Sequence, residues 1–172
     1  MGLSFTTGPL TLSAFTDVDW AGDLEDRRST SGLLVYLGSN PFTWSAKKQL
    51  TVSRSSIVSE YQALALASAE LCWLHTLLKE LGVFLVDAPI LWCDNVSALA
   101  IASNPVFHAR TKHIEVNFHF VHERVLCKDL SIKSVSTIDQ LADIFTKSLP
   151  THRFLDLHRN LMATVRPPEL EE

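Results

Sequence analysis

The sequence predicts an α/β domain built on a five-stranded mixed sheet flanked by helices. Three observations carry that expectation. Three strand-like runs come first in close succession, and helical and strand-like segments alternate after them. The stretch 53–82 holds a long helical repeat of apolar residues that ends at a glycine. Four acidic residues, Asp17, Glu60, Asp94 and Asp143, stand where the apolar pattern calls for regular, half-buried backbone. An isolated carboxylate is costly to desolvate, so four such positions point to convergence on a divalent cation.

Residues 11–17 (TLSAFTD) read as the first strand, with Asp17 at its end. DLEDRRSTSG is a polar turn region. LLVYLG (33–38) and PFTWSAKK (41–48) follow as second and third strands joined through Gly38-Ser39-Asn40, an antiparallel meander. Ile57, Tyr61, Leu64, Leu71, Leu74, Leu78 and Leu81 recur at helical spacing in the long helix, and Gly82 stops it. PILWCD (89–94) reads as a short buried strand ending in Asp94, and NVSALAIAS as a helix after it. Pro105 interrupts. From about 111 to 126 an amphipathic helix carries Ile114, Phe118, Val121 and Val125 on one face. LSIKSV (130–135) is the fifth strand, DQLADIFTKSL (139–149) a helix, and THRFLDLHRNLM a last helix beyond Pro150. The division expected is a leader over 1–10, the domain over 11–149, and a C-terminal helix with a frayed tail over 150–172. In a mixed sheet of this order Asp17 and Asp94 can be neighbours, with Glu60 and Asp143 facing them.

At 172 residues, 47% hydrophobic and 20% charged, the chain suits one globular domain with a real core. No apolar run approaches the roughly 20 residues of a membrane span. Cys72, Cys93 and Cys127 form no CxxC pair, which favours a reduced, intracellular setting. The net charge of −4 argues against strong independent binding of nucleic acid, though not against a local basic patch.

Six segments in order, FTDVDWAGD, RRSTSG, TVSRSSIVSEY, CDNVSALAIASNP, RTKHIEV and QLADIFTKSLP, resemble the ribonuclease H domain of copia-type LTR retrotransposon Pol polyproteins, particularly plant ones. The resemblance runs from about residue 3 to residue 160. It implies a ribonuclease H-like fold and endonucleolytic cleavage of the RNA strand of RNA–DNA hybrids during reverse transcription. Two Mg²⁺ ions would be the cofactors, with Mn²⁺ as substitute. The implied partners are the hybrid and the reverse transcriptase domain of the same polyprotein, with residues 1–10 at the junction. No membrane association is expected, and the isolated domain is expected to be a monomer. Its location would be the cytoplasm, in retroelement particles, with the nucleus also open.

The same resemblance places the catalytic and metal-binding acids at Asp17, Glu60, Asp94 and Asp143. Asp17 would bridge two cations about 3.5–4 Å apart, Glu60 and Asp94 would serve the leaving-group side, and Asp143 the nucleophile side. Each has a plainer rival. Asp19 shares a strand face with Asp17. Glu60 could be a solvated helix acid, Asp94 a helix cap, and Asp143 an acid placed for the helix dipole. Glu115, His119 and His122 mimic a zinc-site spacing, but read more simply as a solvated helix face. No histidine lies between Cys127 and Asp143, where many ribonucleases H carry one; His113 or His152 are weak substitutes.

Ser53, Arg54 and Ser55 at the long helix's start, and Asn95, are candidates for substrate contact. Arg27, Arg28, Lys47, Lys48, Arg110 and Lys112 could track a phosphate backbone. The alternative to an enzyme is an inert domain that binds hybrid or packs on a polymerase.

Overall fold

The computed structural model describes residues 5–103 and 112–162. Strands β1 (Leu12–Asp19), β2 (Thr30–Leu37) and β3 (Asn40–Lys48) form an antiparallel meander. Helix α1 (Ser56–Glu80) leads to β4 (Ile90–Cys93), which pairs parallel with β1. Helices α2 (Val96–Ser103) and α3 (Lys112–Leu126) precede β5 (Ser131–Ser134), parallel to β4. A one-turn 3-10 segment (Thr137–Asp139), the short α4 (Asp143–Thr146) and α5 (Thr151–Met162) complete the described chain. The sheet order is β3-β2-β1-β4-β5, the mixed five-stranded arrangement that the sequence predicts.

The period of two along β1 sorts its side chains onto two cores. Leu12 and Ala14 join Val35, Leu64, Leu71, Leu91 and Val121 beneath α1–α3. Phe15 joins Leu34, Tyr36, Leu141, Ala142 and Leu157 beneath α4 and α5. The central strand is therefore buried on both faces, and residues 14–18 are buried without a break.

Helix α1 is closed at both ends by its own sequence. The Ser55 hydroxyl accepts from the Val58 N–H at 3.3 Å. Gly82, at φ +81°, donates to Lys79 O, and Val83 N–H reaches back to Leu78 O at 2.8 Å. That pair of bonds is a Schellman ending, which requires the left-handed residue that glycine supplies most cheaply. Ile57 and Leu81, assigned by spacing to the buried face, are 39% and 70% exposed, at the two ends of the helix. A buried network fixes the first turns. Gln49 Nε2 donates to Ser31 Oγ at 2.9 Å and to Ser59 O at 3.0 Å, and Ser53 Oγ donates to Gln49 Oε1 at 3.2 Å. Glu60 inherits its position from that network.

One predicted element is broken. The helix expected over 139–149 is a 3-10 turn, an extended Gln140 (φ −70°, ψ 98°) and the single turn of α4. The Gln140 side chain, fully buried, is drawn inward by bonds to the sheet, and that is incompatible with a continuous helix. The strands also differ at their ends. β1 continues past Asp17 to Asp19, and β2 begins at Thr30, ahead of the expected 33. Arg110 and the side chains of Lys112, His113, Ile114 and Glu115 lie outside what the structure describes.

Gly32 on β2 lets α4 seat directly on the sheet. A Cβ there would meet Thr146 Cγ2 at 2.7 Å and the Ala142 carbonyl oxygen at 3.0 Å. Gly32→Ala is expected to push α4 outward and to destabilise the domain by about 1–3 kcal/mol through overpacking. Gly8→Ala is the control, since its Cβ would make an ordinary 3.7 Å contact with Ser39. Thermal melts of the two variants should separate by several degrees; equal melts would mean that α4 gives way at no cost.

Candidate active site

Asp17 projects from the middle of the sheet and is 1% exposed. Asp17 and Asp94 each lie two residues beyond the paired Phe15 and Trp92, on adjacent parallel strands. Neighbouring strands run about 4.8 Å apart. Parallel pairing thus brings these two acids toward the same end of the two strands, as the sequence order allows.

Asp143 opens α4 and is 4% exposed. Lys147, one turn on, donates from Nζ to Asp143 Oδ1 at 2.6 Å and to Asp17 Oδ1 at 3.0 Å. The Thr146 hydroxyl donates to the other Asp17 oxygen, Oδ2. Arg153 Nη2 stands 3.5 Å from Asp143 Oδ2, and its guanidinium also holds the carbonyls of Thr137 and Ile138. Both oxygens of both carboxylates therefore face donors from α4, its C-terminal flank or α5.

Gln140 carries Asp94. Its Nε2 donates to Asp94 Oδ1 at 3.2 Å and to Thr16 O at 3.0 Å, while Oε1 accepts from Ala142 N–H. One buried amide ties the ends of two strands to the approach to α4. Burial, then the charges of Asp17 and Asp94, push the Glu60 carboxyl up to about 8, against the pull of Lys147 and a hydrogen bond with Asn95. Burial likewise raises the Asp143 carboxyl above its usual range, with the Lys147 bond opposing. For Lys147, burial pulls the ammonium down, but the bond to Asp143 and the charge of Asp17 outweigh it and hold the pKa above the ordinary lysine value. Cys93, just before Asp94, is 1% exposed, and burial pushes its thiol up to about 12.

The rival assignments can now be placed. Asp19 turns its carboxylate over Gly22 in the loop after β1. The α2 cap is Asn95, whose Oδ1 accepts from Ala98 N–H at 2.9 Å, so Asp94 is not needed for that task. Asp143 does stand in a first helical turn, and serves the dipole and the cluster together. His119 and His122 pack edge-on and face-on against Phe118. Ser53 is 6% exposed and committed to Gln49, and Ser55 is the α1 cap, which leaves Arg54 exposed at that helix start. Lys48 is paired with Asp23 and Asp26, and Arg28 with Asp26; Arg27 and Lys47 are exposed.

Gln140, Thr146, Lys147 and Arg153 were not anticipated. For Thr146 and Lys147 a signal existed, since positions three and four after Asp143 share its helix face. Carboxylate oxygens are hard donors that suit Mg²⁺ or Mn²⁺, and the cationic Nζ already sits among them, so the donor chemistry fits a divalent cation. Among the described residues, no three His, Cys, Asp or Glu side chains are gathered into a ligand set in this conformation.

No family model matches the chain. Its fold is that of ribonuclease H domains. It superposes on the N-terminal RNase H domain of a Mycobacterium tuberculosis protein with a TM-score of 0.56 at 10% identity, covering 88% of this chain and 98% of that one. LC11-RNase H1 in complex with an RNA/DNA hybrid gives 0.55 at 15% identity, covering 79% and 94%. In sequence the chain is a homologue of one segment of plant retrotransposon Pol polyproteins. It is 46% identical over 159 residues to the polyproteins of transposons RE1 and RE2 of Arabidopsis thaliana. It is 36% identical over 143 residues to that of TNT 1-94 of Nicotiana tabacum. These matches cover 92% and 83% of the chain, but the chain spans only 11% of each polyprotein's length.

The raised Glu60 value has a consequence for stability. Below its ordinary value of 4.5 the protonated carboxyl carries no burial penalty, and the penalty grows as pH rises toward about 8. In the absence of metal, Glu60→Gln should melt about 2–4 °C above the parent at pH 8, the shift that ~1 kcal/mol makes in a domain of this size. The gap should close at pH 4. A gap independent of pH would disconnect Glu60 from the acid cluster.

Proposed function

We propose that this domain is a metal-dependent endoribonuclease that cuts the RNA strand of RNA–DNA hybrids in the service of reverse transcription. The observation that carries the reading is the placement of four carboxylates around the ends of two adjacent parallel strands. Asp17 and Asp143 share one ammonium, Asp94 lies beside Asp17 on the neighbouring strand, and Glu60 is shifted by the charges of Asp17 and Asp94. The polyprotein relatives make a template-degrading step during reverse transcription the natural setting.

Asp17, Glu60, Asp94 and Asp143 would hold the cations, two Mg²⁺ or Mn²⁺ in the reading adopted here. Bound there, they would supply an ionised water and stabilise the leaving 3′ oxygen. The protein's share is placement. Asp17 is rigid because its strand is buried on both faces, and Thr146 fixes the direction of its carboxylate. Gln140 sets the rotamer of Asp94. Asn95, as the α2 cap and partner of Glu60, would stand next to the cut strand, and exposed Arg54, Arg27 and Lys47 would meet phosphates. Two of the implied basic contacts, Arg28 and Lys48, are engaged by their own acids, in keeping with weak, salt-sensitive binding by a domain of net charge −4.

A second reading has one observation in its favour. The acids are spread around Lys147 rather than gathered as a ligand set, which is how an inert hybrid-binding or polymerase-packing domain would look.

Asp94→Asn separates the two. A labelled hybrid should be cut by the parent in Mg²⁺, with RNA and DNA duplexes left intact. In the variant cutting should fall at least ~100-fold, the scale of losing one electrostatic contact to a displaced oxygen. The melting temperature should hold or rise, since one charge leaves a repelling group. Near-normal cutting by the variant would refute the site, and no cutting by the parent in Mg²⁺ or Mn²⁺ would favour the inert domain.

A further inference from the structure

Among the described residues, Lys147 is the cation that bonds both Asp17 and Asp143. Its Nζ lies 3.0 Å from Asp17 Oδ1 and 2.6 Å from Asp143 Oδ1. The remaining oxygens of these carboxylates face Thr146 and Arg153. A divalent ion that engages Asp17 and Asp143 together meets an ammonium already bonded to both. Lys147 is the more accessible partner: its side chain is 34% exposed, while those of Asp17 and Asp143 are 2% and 5% exposed. It stands in extended backbone at the C-terminal boundary of a one-turn helix.

We propose that Lys147 is a built-in counter-ion that competes with the divalent cation, holding Asp17 and Asp143 together when metal is absent and yielding to it when metal binds. This rests on the reading of the acids as metal ligands. The exchange is of one bound cation for another, with no bond made or broken. It predicts that metal occupancy has a threshold set by this lysine. Two buried carboxylates without either cation would repel strongly, so the ammonium also supports the metal-free fold.

The test uses the whole chain as parent, Lys147→Met and Lys147→Arg, with Mn²⁺ binding followed by titration calorimetry and by the resonance of free Mn²⁺. In chelator, Lys147→Met should melt several degrees below the parent. It should bind Mn²⁺ roughly tenfold or more tightly, as expected when a positive charge at close range is withdrawn from the ligands. Its melting temperature should therefore rise further with Mn²⁺ than the parent's does. Lys147→Arg keeps the charge and should stay near the parent in both respects.

If Lys147→Met does not fold in chelator, excess Mn²⁺ should restore its circular dichroism, because the ion takes the ammonium's place. Unchanged or weaker Mn²⁺ affinity in Lys147→Met, or failure of Mn²⁺ to restore an unfolded variant, would overturn the proposal. Hybrid cleavage by the parent separates the two levels. Parent activity with no gain in Mn²⁺ affinity sinks only the competition, whereas a parent that neither binds Mn²⁺ nor cuts removes the metal-ligand reading and this proposal with it.

Discussion

Parallel pairing of β1 with β4 is the constraint on which the rest of the molecule depends. It carries Asp17 and Asp94 toward the same end of two central strands, in surroundings where the Asp17 charge is poorly hydrated. Bringing like charges together in such a place costs free energy, and neighbouring elements offset the cost. α4 and its flank bring Thr146 and Lys147, α5 brings Arg153, and the turn before α4 brings Gln140. Gly32 leaves the room that lets α4 approach closely enough to do so. Local features that look unrelated, a missing side chain on β2 and a broken helix near residue 140, serve the same placement.

The elements were legible where one periodicity dominated. The meander, α1 with its Gly82 ending, and the short strands all follow from spacing and turn residues, and so does the sheet's composition. The 139–149 segment was not legible in this way. Leu141, Ala142, Ile144 and Phe145 keep an apolar pattern that suits a helix, while the decisive residue is a polar one, Gln140, buried by tertiary bonds to Thr16 and Asp94. Periodicity has no means of distinguishing a glutamine bound for solvent from one bound for the core.

The site was legible in part for a similar reason. Acids at strand ends and in an apolar helix stretch announce themselves through their cost, so Asp17, Glu60, Asp94 and Asp143 stand out in the sequence as candidates. Their supports do not, since a lysine, a threonine or an arginine near a helix end is ordinary. Asp19 lies on the same strand as Asp17, and where its carboxylate goes is visible only once it is seen folded over Gly22. The two serines at the start of α1 show how one residue type can serve two ends. They suit a phosphate by type, yet the fold spends Ser53 on Gln49 and Ser55 on the helix cap.

Cys93 has a further consequence. It sits on β4 directly before Asp94, sealed from solvent, with a thiol that stays protonated at neutral pH. Since the thiolate is the reactive species, this sulfur is chemically silent while β4 remains closed against its neighbours. Cys127 is exposed and Cys72 half-buried, so they mark the surface against which that silence can be judged. The chain thus carries its own strain gauge one residue from the acid edge: a sulfur that would begin to react only when the sheet opens there.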